Sequence, residues 1–156
     1  MKRHLLNVPA VESAHAILLV DRRYALQLRD DDAAIAWPGM WGLFGGMLNA
    51  GESPRQGLVR ELREELDITV ERAGLFLTVG GTSEGSSAPK RWWFFEVDAS
   101  AEWQRHVLHE GQAAQVFDFV ETEGLPMTPM TRDVLRRHYQ ASRRAFSTRR
   151  RVHQRR

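Results

Sequence analysis

Apolar residues crowd positions 14–20, and after the polar break Asp21-Arg22-Arg23 they alternate with smaller or polar residues through Tyr24, Leu26 and Leu28. A dense run, a polar break and a period-two pattern read as the two strands of a hairpin. From Asp30 to Gly46 the chain is rich in Asp, Gly, Pro and Trp, with Trp37-Pro38-Gly39 and Gly45-Gly46 as turn signals. That stretch is expected to be irregular apart from a short strand near Trp41 to Phe44. The period then changes. Leu58, Val59, Leu62 and Leu66 recur at helical spacing behind Ser53-Pro54, an N-cap followed by a first-turn proline. A helix is predicted from about Pro54 to Leu66.

Beyond it, strands are predicted at Leu75 to Val79, Arg91 to Val97 and Val116 to Val120, with a mobile loop over Gly80 to Pro89 and an ambiguous stretch from Ala101 to Gln112. Thr128-Pro129 repeats the cap-and-proline signal and opens a helix in which Met130, Val134 and His138 share a face. This strand–helix–strand order, with no internal repeat, predicts an α/β domain with a mixed sheet between helices. From Arg143 onward the apolar content is too low to pack. A single domain over residues 1–142 is expected, followed by a disordered basic tail over 143–156.

Composition narrows the chemistry. A chain of 156 residues with 42% apolar content supports one core. Cysteine is absent, which excludes a disulfide framework, a thiolate zinc site and a cysteine nucleophile together. The N-terminal stretch is interrupted by Asn7, Pro9, Glu12 and His15, and the run Ile17 to Val20 is far shorter than the roughly 20 residues of a membrane span. The expectation is a cytoplasmic protein that does not enter a membrane.

The formal charge of +2 hides an asymmetry. Residues 143–156 hold seven arginines and no acid, leaving 15 basic against 20 acidic side chains over residues 1–142, a net of −5. Clustered arginines invite contact with nucleic-acid phosphates through counterion release. A solvated terminus explains them equally, and the sequence leaves a homodimer open.

The predicted first helix carries the chemistry. At 100° per residue, Glu61, Glu64 and Glu65 fall at about 0°, −60° and +40°, while Val59, Leu62 and Leu66 fall near +100° to +160°. One edge packs and the adjoining edge presents three carboxylates. Like charges at i, i+3 and i+4 repel mildly, so the pattern gains sense if divalent cations neutralise it. Magnesium prefers oxygen ligands and is commonly held by a few carboxylates together with substrate phosphates. Such a site can polarise a phosphoryl oxygen and activate water. A Glu-rich helical face is, taken alone, more often solvated surface.

The flanking residues change that weighting. Gly46, Glu52, Arg60-Glu61-Leu62, Glu64-Glu65 and Ile68 stand at the spacing of the Nudix box, and the segment closely resembles it. Asp67 stands where that box has a glycine, in a place that calls for a left-handed conformation after the helix. Asp tolerates that conformation at a cost of about 1 kcal/mol.

The resemblance implies a Nudix-like α/β/α sandwich and magnesium-dependent hydrolysis of a nucleoside diphosphate derivative, with manganese as a substitute ion. By family analogy Glu64 and Glu65 are metal ligands with Glu61 beside them, and Gly46 adds a backbone carbonyl. Glu52 acts in support, Arg60 orients a glutamate, and Glu52, Arg60 and Glu61 are counted with the catalytic set. A further carboxylate outside the box is expected to bind metal or act as base. Glu84, Glu96, Glu110 and Glu121 are candidates, and Glu110 is chosen because it precedes an apolar run where a loop enters a strand.

Other features weigh less. Trp37 and Trp41, just before the box, are candidates for stacking on a base, although core packing is the commoner fate of a tryptophan. His106 and His109 lack a partner at zinc spacing. A nucleotide-like small molecule is the expected substrate, with modified or unmodified nucleoside triphosphates leading. Nucleotide sugars, dinucleoside polyphosphates, nucleotide cofactors and binding without turnover remain as alternatives. Family members that isomerise isoprenoid diphosphates use a cysteine, which this chain lacks. An intact box favours attack at phosphorus over attack at sugar carbon.

Overall fold

The computed structural model describes residues 10–82 and 88–153, and of 146–153 the backbone alone. Strand β1 (Val11–Val20) turns back into β2 (Arg23–Leu28) through Asp21 and Arg22, whose φ angles of 49° and 67° make the tight two-residue turn that suits the twist of paired strands. The predicted hairpin is present. Short β3 (Trp41–Gly42) pairs with β2, and β4 (Phe44–Met47) pairs with the first half of β1. Gly45-Gly46 is therefore strand rather than turn.

Helix α1 (Pro54–Leu66) matches its predicted bounds. Strands β5 (Gly74–Thr82) and β6 (Pro89–Asp98) extend beyond the predicted runs, so Gly80 to Thr82 are strand and not loop. Strand β7 (Ala113–Phe117) follows a 3-10 turn at Trp103–Arg105. The predicted strand Val116 to Val120 stops at Phe117. There Asp118 and Glu121 form a capping box that starts the short helix α2 (Phe119–Thr122).

Helix α3 (Pro129–His153) runs past Arg143, so residues 143–153 are helical where a disordered tail was expected. Arginine and alanine are good helix formers, and a helix already nucleated on the body extends at little cost. No helix among the described residues is long and apolar enough to cross a membrane.

The strands form one mixed sheet in the order β3-β2-β1-β6-β5, with β4 on β1 and β7 on β2. Among the described strands, β1 and β6 are paired in parallel and the other pairs are antiparallel. Alternation along β1 divides the core. Ala14, Ala16, Leu18 and Val20 pack with Leu58, Leu62 and Leu66 of α1, whereas Ile17 joins Leu26, Phe94, Val134 and Leu135 on the α3 side. The sheet thus has a helix on each face, the three layers predicted for the α/β/α sandwich, and the packed edge of α1 fixes where its carboxylates stand.

On the α3 face, His138 is 3% exposed and links the layers. Its Nδ1 lies 2.8 Å from the Tyr24 hydroxyl and its Nε2 lies 2.7 Å from Glu96 Oε2.

Candidate active site

Both ends of α1 are fixed locally. Ser53 Oγ accepts from the Gln56 N–H at 3.3 Å, and Gln56 Oε1 accepts from the Ser53 N–H at 2.9 Å. At the other end Asp67 takes φ 56° and ψ 22°, the left-handed conformation of the glycine it replaces, and its N–H donates to the Arg63 carbonyl at 3.0 Å. The substitution leaves the helix end intact. The loop between the 3-10 turn and β7 satisfies two more end carbonyls, with the Val107 N–H on Leu66 at 3.1 Å and the His109 N–H on Glu65 at 2.9 Å. That loop is thereby tied beside the carboxylates.

Glu65 is 3% exposed, and its Oε2 accepts from the Gly45 N–H at 2.9 Å. Burial pushes its pKa up to about 8; the Gly45 hydrogen bond opposes the rise, and the charges of Glu110 and Glu61 add to it. Gly45, at φ 126°, is required for this contact, since a Cβ there would lie 2.2 Å from the Ala14 carbonyl oxygen.

Gly46 stands against Glu61: a Cβ on it would come within 2.7 Å of the Glu61 carboxyl carbon. Arg60 gathers the other carboxylates. It reaches Glu61 Oε1 at 2.7 Å and Glu64 Oε2 at 3.1 Å through one terminal nitrogen, and the Met47 carbonyl at 2.9 Å through the other. Glu52 receives two further bonds from Arg60 and one from the Asn49 N–H at 2.8 Å. The Arg60 hydrogen bonds come first among the causes that hold the Glu52 carboxyl down at about 2. The same contacts raise the Arg60 pKa.

These residues suit a hard divalent cation. All donors are oxygens, Gly46 lets the Glu61 carboxylate approach the β4 backbone, and a cation would offset the burial that raises Glu65 first and the Glu110 and Glu61 charges that add to it. Among the described residues, no three acidic or imidazole side chains are already gathered as an ion cage. Arg60 and the Gly45 N–H hold them instead. Magnesium needs few protein ligands because it keeps several waters, so the donor set fits that ion better than one demanding a complete cage.

The profile of the NUDIX domain matches residues 5–140. This chain belongs to the Nudix family. As the box implied, it is a Nudix-type pyrophosphohydrolase, a class acting on phosphoric anhydrides. A comparison with curated proteins found no match.

Solved Nudix structures resemble it. The NUDIX domain of Shewanella oneidensis NrtR, complexed with ADP ribose, superposes with a TM-score of 0.70 at 16% identity over 85% of this chain and 88% of that one. The MutT NUDIX hydrolase of Burkholderia pseudomallei gives 0.65 at 25% identity over 82% and 97%. The E. coli dihydroneopterin triphosphate pyrophosphohydrolase gives 0.65 at 20% over 81% and 92%.

Outside the Nudix box the expected residues separate. Glu110 stands beside the site: its charge acts on Glu65, and its carbonyl accepts from Gln27 Nε2 at 2.9 Å. Glu96 is bonded to His138, on the α3 side of the sheet. Glu121 accepts from the Asp118 N–H at 2.6 Å within a helix cap. Glu84 lies outside the described residues.

Trp41 packs edge-on against Phe117, at 4.9 Å between ring centres, on the α3 face. Trp37 stands 50% exposed in the loop before it, with φ 59°. Sequence reasoning missed Gly45, whose N–H serves Glu65, and His109, whose Nε2 lies 2.9 Å from Asp67 Oδ2. The departure at Asp67 was the one signal for the latter.

Proposed function

We propose that this chain hydrolyses the diphosphate linkage of a nucleoside diphosphate derivative, in the first place a nucleoside triphosphate, by attack of water at phosphorus with magnesium as cofactor and manganese as a substitute. The reading rests on one observation above others. A carboxylate at 3% exposure, crowded by Glu61 and Glu110 and held up at about 8, is poorly placed unless a cation comes to it.

When bound, magnesium supplies polarisation of a phosphoryl oxygen and activation of water. The chain supplies the rest. Glu61, Glu64 and Glu65 would hold the ion, with the Gly46 carbonyl as a further donor. Glu52 and Arg60 are positioning residues: one terminal nitrogen of Arg60 holds both Glu61 and Glu64, and Glu52 keeps the guanidinium in place. Glu110, on the loop tied to the end of α1, accepts the proton from the attacking water.

Among the structural relatives, one domain was solved with ADP ribose and one enzyme is named for a triphosphate, both of which contain a phosphoric anhydride. A domain that only bound nucleotide would not need this set of buried and clamped carboxylates. A turnover screen of nucleoside triphosphates, nucleotide sugars, dinucleoside polyphosphates and nucleotide cofactors with magnesium, identifying both products, tests the reading. Cleavage of a triphosphate to monophosphate and pyrophosphate is expected. No magnesium-dependent product from any class would overturn it.

A further inference from the structure

Along the outer face of α1, Gln56, Arg60, Arg63 and Asp67 succeed one another at helical spacing. With His109 and Glu64 they line a groove of about 820 Å3. The groove begins at the site, since Glu64, its side chain 61% exposed, belongs to both. Arg60 is engaged by Glu52, Glu61, Glu64 and the Met47 carbonyl. Arg63 differs: among the described residues its guanidinium has no hydrogen-bond or ion-pair partner.

His109 stands near the end of α1, its N–H on the Glu65 carbonyl at 2.9 Å. Its Nε2 donates to Asp67 at 2.9 Å, which leaves Nδ1 to share one proton, carried by the ring or by the phosphate, with a terminal phosphate oxygen. The residue that departs from the Nudix box is thus the one that holds an imidazole on this groove. A glycine there would give the same helix end without that contact.

We propose that the groove binds the phosphates lying beyond the cleaved linkage, with Arg63 and His109 contacting a terminal phosphate and Asp67 positioning His109. The proposal rests on the hydrolytic reading above and deepens it, because it selects the substrate class. A guanidinium fork pairs with phosphate oxygens through two parallel hydrogen bonds. A linear polyphosphate brings a doubly charged end to these groups, whereas a diphosphate capped by a neutral sugar leaves Arg63 unmatched. The chain therefore prefers nucleoside triphosphates to sugar-capped diphosphates.

The test uses the full chain and inorganic tripolyphosphate, which has no nucleoside, measured by calorimetry with magnesium and with chelator. Arg63→Ala removes an exposed side chain without a partner, and His109→Ala keeps the backbone bond to Glu65, so both fold. Each is expected to weaken tripolyphosphate binding about tenfold or more, the size of one charge-assisted hydrogen bond. Each should also lower the ratio of kcat/KM for a nucleoside triphosphate over ADP-ribose, through KM more than kcat, with Arg63→Lys restoring part of it. Asp67→Asn, which keeps the left-handed cap, should fall between His109→Ala and the wild type.

Tripolyphosphate binding equal in the wild type, Arg63→Ala and His109→Ala would overturn the proposal even if hydrolysis were normal. Binding that depends on both residues in a chain that hydrolyses nothing would instead keep the groove and remove the hydrolytic reading.

Discussion

Arg60 holds both oxygens of Glu52, with Nε on Oε1 at 2.7 Å and a terminal nitrogen on Oε2 at 3.0 Å. The clamp fixes the guanidinium so that its remaining donors meet Glu61, Glu64 and the Met47 carbonyl. Arg60→Lys keeps the charge and loses the fork. It is expected to lower magnesium affinity and kcat/KM about 10- to 100-fold, the usual effect of losing a residue that orients metal ligands. Magnesium titration of turnover in a variant shown to be folded checks this, and wild-type affinity would contradict it.

Gly46→Ala tests the close approach of β4 to Glu61. The new Cβ would lie 2.7 Å from the Glu61 carboxylate, the far end of a flexible side chain that can swing aside. The melting temperature should therefore change little while magnesium affinity falls about 10-fold or more. A large loss of stability with normal metal affinity in the remaining folded protein would show that the glycine serves the fold instead.

Glu65 links the site to pH. Its carboxyl titrates near 4.5 in the unfolded chain and near 8 in the metal-free fold, so between these values the folded state binds more protons. Stability attributable to Glu65 is then present below this window and falls as pH rises through it. His15, lowered by burial to about 4, acts in the opposite sense from about 4 to 6.5, so the comparison is made against Glu65→Gln. With chelator, wild type should lose melting temperature relative to Glu65→Gln from about pH 4.5 to 8, and magnesium should recover most at the upper end. Parallel curves for the two proteins would remove this account of Glu65.

Glu110→Gln is expected to lower kcat about 100- to 10,000-fold with little change in KM, the range for loss of a general base. Glu121→Gln, altering only a helix cap, serves as the comparison. If Glu110→Gln turns over normally, the base lies elsewhere, and Glu84→Gln is the next variant to measure.

The arrangement of the candidate site was legible where its information is local. Glu61, Glu64 and Glu65 share one helix whose cap, proline and apolar spacing fix both its bounds and its carboxylate edge. What was not legible depends on contacts distant in sequence or on overridden local signals. A glycine pair ordinarily marks a turn, but Gly45 and Gly46 are glycines because Ala14 and Glu61 crowd them inside a strand. Val116 to Val120 has the composition of a strand, yet the Asp118 and Glu121 cap ends it after Phe117. The closeness of Glu110 to Glu65 arises from backbone rungs between the 107–109 loop and the end of α1, which no periodicity announces. Arg143 to His153 was read by its poor apolar content, whereas helix propensity and the docked part of α3 decide its state.

The most direct measurement is hydrolysis of nucleoside triphosphates in 18O-labelled water with magnesium, comparing wild type with Glu65→Gln. The account predicts that wild type releases two phosphorylated products, one carrying 18O on phosphorus, and that the folded Glu65→Gln protein loses nearly all turnover because a charged ligand has gone at constant size. Turnover by Glu65→Gln close to that of wild type, or product without 18O on phosphorus, would contradict it.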